Sequence, residues 1–114
     1  MKHNVSDIKS FEITRGFSAR MIHADSMTIA FVEVEEGAEL PVHAHPHEQV
    51  TNVLEGVFEI VVGSQPVLLK AGESVVIPSN VPHSGKAHTH CRILDVFSPV
   101  REDFRKGEVS YAVR

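Results

Sequence analysis

Short segments of alternating apolar and polar residues run through almost the whole chain, separated by Gly, Pro or Asn. Within 27–34, Thr28, Ala30, Val32 and Val34 occupy every second position, the period of a half-buried strand. The same signature predicts strands over 11–15, 19–23, 40–45, 49–54, 57–62, 67–70, 74–77, 83–86 and 91–97. Turn signals fall between them at Gly37, Gly56, Gly63, Gly72, Pro78 to Asn80 and Gly85. Many short strands at close spacing imply an all-β fold, a small sandwich or barrel. Helical periodicity is confined to one turn over 101–106, after Pro99.

With 114 residues the chain suits one domain, 1–114. A small all-β chain has little core for its surface, so a bound metal or dimerisation would help it. The net charge of −4 comes without a basic stripe, which disfavours nucleic acid as a partner. Cys91 is the only cysteine, which excludes internal disulfides and multi-cysteine zinc sites. No apolar run approaches the ~20 residues of a membrane span, and the polar start lacks a signal-peptide apolar region. The expectation is a cytoplasmic protein with no membrane partner.

Eight histidines and no tryptophan change the picture. Two clusters hold most of them: His43, His45 and His47, then His88 and His90, with His83 just before the second. Imidazole is the commonest metal ligand. In an extended stretch His43 and His45 share a face and can reach one ion from one strand. Pro46 interrupts the ladder, so parity does not orient His47. Further ligands must come from elsewhere, Gln49 or a distant histidine. His47 fits a supporting or a surface position, and His88, His90, His3 and His23 fit rim, surface or structural positions.

Gly37, His43, His45, Gln49 and Gly56, followed by Gly72, Pro78 and His83, stand at the spacing of the two motifs of a single-domain cupin, which the chain resembles. That resemblance implies a small jelly-roll β-barrel, the double-stranded β-helix. It also implies a divalent transition metal (Ni, Zn, Fe, Mn or Co) held at one end by His43, His45, Gln49 and His83. The sequence departs from the motifs twice. Asn80 replaces a glycine and can adopt the same left-handed backbone. Gln49 replaces the usual glutamate, leaving the cation its full charge and making it a stronger Lewis acid. Iron oxygenases typically use two histidines and a carboxylate, so Gln49 argues against oxygen chemistry.

Near the C-terminus, Cys91, Ile93, Asp95 and Phe97 share one strand face. In a cupin this face points inward past the metal, which places a carboxylate among apolar neighbours and raises its pKa. The phrase from Asp95 through Phe97 and Arg101 to Phe104, together with the first histidine run, is similar to the cupins of pectin and alginate breakdown that open the ring of 4,5-unsaturated uronates. That narrower resemblance implies Asp95, Phe97 and Arg101 as catalytic residues and a small acidic sugar as substrate. Asp95 would move the proton, Phe97 would wall the ring, and Arg101 would pair the carboxylate. The alternatives are another small-molecule metallocupin, a dioxygenase or sugar isomerase, and a non-catalytic ligand-binding cupin. Leu94 and Val96 face away from Asp95 and, with the two-sided apolar strand 28–34, suggest a homodimer to which the N-terminal region 1–24 contributes.

Overall fold

Alternation along the chain becomes ten strands in the computed structural model, which describes residues 1–107. They are β1 (Phe11–Thr14), β2 (Phe17–His23), β3 (Thr28–Val34), β4 (Glu39–His43), β5 (Glu48–Glu55), β6 (Val57–Val62), β7 (Gln65–Lys70), β8 (Ser74–Ile77), β9 (His83–Ala87) and β10 (Cys91–Ser98). One helical turn, α1 (Glu102–Arg105), follows, inside the span where the sequence allows a single turn. The expected domain 1–114 includes residues 108–114, which lie outside the described ones.

The strands form a six-stranded sheet, β1-β2-β3-β10-β5-β8, and a four-stranded sheet, β4-β9-β6-β7. The strand pairs are antiparallel. This is the jelly-roll arrangement, with two sheets facing each other rather than one ladder closed into a continuous barrel. Among the described residues no helix is long and apolar enough to cross a membrane.

Both inner faces are apolar because strand parity sends every second side chain the same way. Ala19 and Met21, Ala30 and Val32, and Ile93 and Phe97 are buried in the larger sheet. Phe58, Ile60 and Leu69 are buried in the smaller. Phe17 and Phe58 meet across the gap edge to face, centroids 6.2 Å apart. Burying a side chain of this size stabilises the fold by about 2–3 kcal/mol.

Two glycines have specific reasons. Gly56 turns the chain between β5 and β6 at φ +90°, and a Cβ there would lie 2.2 Å from the His90 carbonyl oxygen. Gly85 does not turn the chain as expected. It lies within β9, where a Cβ would come within 2.4 Å of the Phe58 ring. The missing side chain makes room for that ring on the inner face. The strand expected over 83–86 is β9, paired on both sides, with β4 and β6.

Candidate functional site

The site lies at one end of the sandwich, where β4, β5, β9 and β10 bring histidine, amide and carboxylate groups together. β4 ends at His43, two residues earlier than the alternation predicts, and the chain from Ala44 to His47 is not strand. The convergence of His43 and His45 therefore comes from a shaped loop and not from strand parity. Asn80 holds that loop: it takes a left-handed backbone at φ +64°, and its N–H donates to the His45 carbonyl oxygen at 2.8 Å. The turn before β9 is thus tied to the loop after β4.

His43, His45 and His83 bring one ring nitrogen each to within 4.8 Å of one another. Each Nδ1 already faces a backbone carbonyl: Pro41 at 2.7 Å, His47 at 3.0 Å and Val81 at 2.9 Å. These contacts leave Nε2 of each ring as the lone-pair nitrogen. Burial holds the His43 and His45 rings down to about 4, and it lowers His83 as well. All three are neutral at pH 7, the form that ligates metal.

Two observations test whether these residues fit a cation. His83 Nε2 is buried and has no hydrogen-bond partner. His45 Nε2 lies 3.0 Å from Gln49 Oε1. With Nδ1 donating to the His47 carbonyl, a neutral His45 has no proton left for that contact, so two lone pairs face each other. The Gln49 amide is held this way round because its Nε2 donates to Thr51 Oγ1 at 2.9 Å and to Asp95 Oδ1 at 3.3 Å. A cation reconciles two facing acceptors. The donor set of three neutral imidazoles and an amide oxygen suits a divalent transition metal.

Asp95 is recessed in the same cavity, beside Gln49, Thr51 and Phe97. Thr51 Oγ1 donates to Asp95 Oδ1 at 2.7 Å. Burial pushes the Asp95 carboxyl up to about 6, against the opposing pull of Thr51, Gln49 and Arg101. Thr51 is a member of this network that sequence reasoning missed. Its signal was present: a polar residue on the inward face of β5, two positions from Gln49. Phe97 is buried with its ring 5.8 Å from that of His45.

Arg101 sits behind this wall and does not line the cavity. It is 1% exposed, stacked on Phe104 at 3.8 Å and near Phe97 at 4.8 Å. Asp103 takes its fork side-on, Nε to Oδ1 at 2.9 Å and Nη2 to Oδ2 at 2.7 Å. The Arg101 backbone N–H donates to Thr28 Oγ1 at 2.9 Å. The remaining histidines take smaller parts. The His47 ring lies 5.4 Å from that of His45, at the edge of the cluster. His88 and His90 pair with Glu59 and Glu33 on the surface, at 2.7 Å and 3.0 Å. His23 faces Thr28 Oγ1 at 2.9 Å.

Comparison with known proteins agrees with this geometry. Residues 30–97 match the cupin domain family. The pectin degradation protein KdgF of Dickeya dadantii (strain 3937) is 30% identical over 96 residues, covering 82% of this chain and 87% of that protein. An RmlC-like cupin from Shewanella frigidimarina NCIMB 400 superposes with a TM-score of 0.84 at 33% identity, over 90% of this chain and 93% of that one. KdgF from Halomonas sp. superposes with a TM-score of 0.85 at 23% identity, over 91% and 97%, a likeness of fold. With a family match across most of its strands, a jelly-roll core and a histidine triad that can hold a metal, the chain belongs to the cupins.

Proposed function

We propose that this cupin opens the ring of 4,5-unsaturated uronate monosaccharides, giving the linear 5-keto acid. The observation that carries the reading is the Gln49 bridge. Its amide oxygen faces the histidine cluster and its amide nitrogen faces Asp95, so a neutral ligand set and a proton-carrying carboxyl are built as one unit. The similarity to KdgF, named for pectin degradation, supports the substrate class.

The reaction is an isomerisation. The hemiacetal hydroxyl loses its proton, and the bond from the anomeric carbon to the ring oxygen breaks. The resulting C5 enolate becomes a ketone by gaining that proton at C4. A divalent cation held by His43, His45, Gln49 and His83 supplies a Lewis acid toward the sugar's oxygens. Asp95 carries the proton between oxygen and carbon. A carboxyl group held near 6 can both give and take a proton near neutral pH. Thr51 and Gln49 hold Asp95 at Oδ1, leaving Oδ2 for the reacting sugar. Phe97 supplies an apolar wall that excludes water. Arg101, held by Asp103 behind Phe97, supplies positive charge toward the cavity, which favours a carboxylate-bearing sugar without direct contact.

The test follows the ultraviolet absorbance of the conjugated double bond. Metal-loaded protein is expected to speed its loss and Asp95→Asn to abolish that acceleration. No acceleration by the wild type, or an undiminished rate in the variant, overturns the reading.

A further inference from the structure

The cavity that carries the site does not end at Asp95. Its inward-facing side chains stack in rows across the strands. Asp95 lies opposite Ala30 and Thr51, and Ala30 lies opposite Met21. One row deeper, Ile93 lies opposite Val32. Ile60 and Phe58 of the facing sheet complete an apolar recess below the carboxyl. Space is left there because Ala30, the neighbour of Asp95 on β3, contributes a single carbon. The polar side chains of the cavity wall are His43, Gln49, Thr51, His83 and Asp95, the residues of the site itself.

Ring opening leaves this recess unused. A uronate bears hydroxyls around its ring, and a hydroxyl placed below Asp95 would give up its water with no partner in return. An apolar recess of this kind stays dry until an apolar group fills it. The cavity measures about 40 Å³. At roughly 10–15 Å³ for each water-sized group, that is room for about three of them, and a methylene is of similar size.

We infer that the cavity takes a second class of ligand, a 2-oxo carboxylate whose unbranched apolar side chain of about three carbons lies in this recess. The carboxylate and keto oxygens form the two-oxygen head suited to a divalent cation held by His43, His45, Gln49 and His83, four ligands that leave its charge unneutralised. Arg101, whose charge reaches Asp95 and the three histidines, favours an anionic head. The side chain passes between Asp95 and Ala30 and packs against Met21, Val32, Ile60 and Ile93. Such a ligand needs the donor set and the recess but not the sugar chemistry, so its binding and ring opening stand or fail separately.

Isothermal titration calorimetry of the zinc-loaded full chain with straight-chain 2-oxo acids tests this. Affinity is expected to tighten about fourfold per methylene from pyruvate through 2-oxobutanoate to 2-oxopentanoate. It should peak at 2-oxopentanoate or 2-oxohexanoate and weaken at 2-oxooctanoate, whose chain overpacks the recess. Ala30→Val fills the recess and should flatten the rise while leaving pyruvate binding unchanged. Ile93→Val enlarges it by one methylene and should move the peak to the next longer acid. If circular dichroism shows that Ala30→Val does not fold, the milder Ile93→Val decides. No binding overturns the inference, as does a series that is flat, that peaks at pyruvate or 2-oxobutanoate, or that still tightens at 2-oxooctanoate. So does a folded Ala30→Val that keeps the wild-type rise, or an Ile93→Val that keeps the wild-type peak.

Discussion

Asp95→Asn should make the metal-free protein more stable while removing the proton carrier. Burial raises the Asp95 carboxyl from its ordinary 3.8 to about 6, so folding works against its ionised form. Two units at about 1.4 kcal/mol each give about 3 kcal/mol. The sign follows from proton counting. Between about pH 4 and pH 6 the folded state keeps a proton that the unfolded state has released, so stability falls as pH rises. The favourable contribution is fully present below the unfolded pKa and is lost as pH passes the folded one. Asparagine has the same shape, keeps the oxygen that Thr51 bonds, and carries no charge to desolvate. Urea unfolding in chelator, at pH 4.5 and pH 8, reads the difference. The advantage of Asp95→Asn over wild type should be small at the lower pH and approach ~3 kcal/mol at the higher, the histidine contributions cancelling between the two proteins. An advantage that is flat with pH, or that shrinks as pH rises, would refute the claim that burial dominates at Asp95.

Other outcomes follow from the same contacts. Gln49→Glu puts a second carboxylate within about 3.3 Å of Asp95. It should hold divalent metal more tightly against a chelator yet slow ring opening at least tenfold, because the cation is more neutralised and Asp95 stays protonated to higher pH. Thr51→Val removes the 2.7 Å donor to Asp95. The acidic limb of the pH–rate profile should move up by about one unit, since a hydrogen bond to a charged group is worth about 1.5–3 kcal/mol. Arg101→Ala removes the guanidinium partner of Asp103 and the cation stacked on Phe104, and should cost about 2–4 kcal/mol in urea unfolding.

The sequence carried the site furthest where strand parity applies. Asp95 and Phe97 lie inward on β10 with Cys91 and Ile93, as the alternation requires. Gln49 begins the inward face of β5, and the same rule would have found Thr51 had a polar residue on an apolar face been followed up. His45 is different, because it lies in a loop oriented by a hydrogen bond from Asn80, a residue 35 positions away. Pairwise spacing cannot encode such a contact. The Arg101 fork shows another limit. The family resemblance implies that it pairs a substrate carboxylate, but its capture by Asp103 depends on how α1 turns back against the sheet. Gly85 was read as a turn because glycine marks turns most often, while here it yields space to Phe58.

The central claim is that Asp95 delivers the proton to carbon within the cavity, and running the reaction in D2O with metal-loaded protein tests it most directly. The account predicts one deuterium at C4 of the keto acid, all on one face by NMR, formed at a rate that Asp95→Asn loses. Deuterium spread over both faces, or single-face labelling that survives Asp95→Asn at full rate, would contradict it.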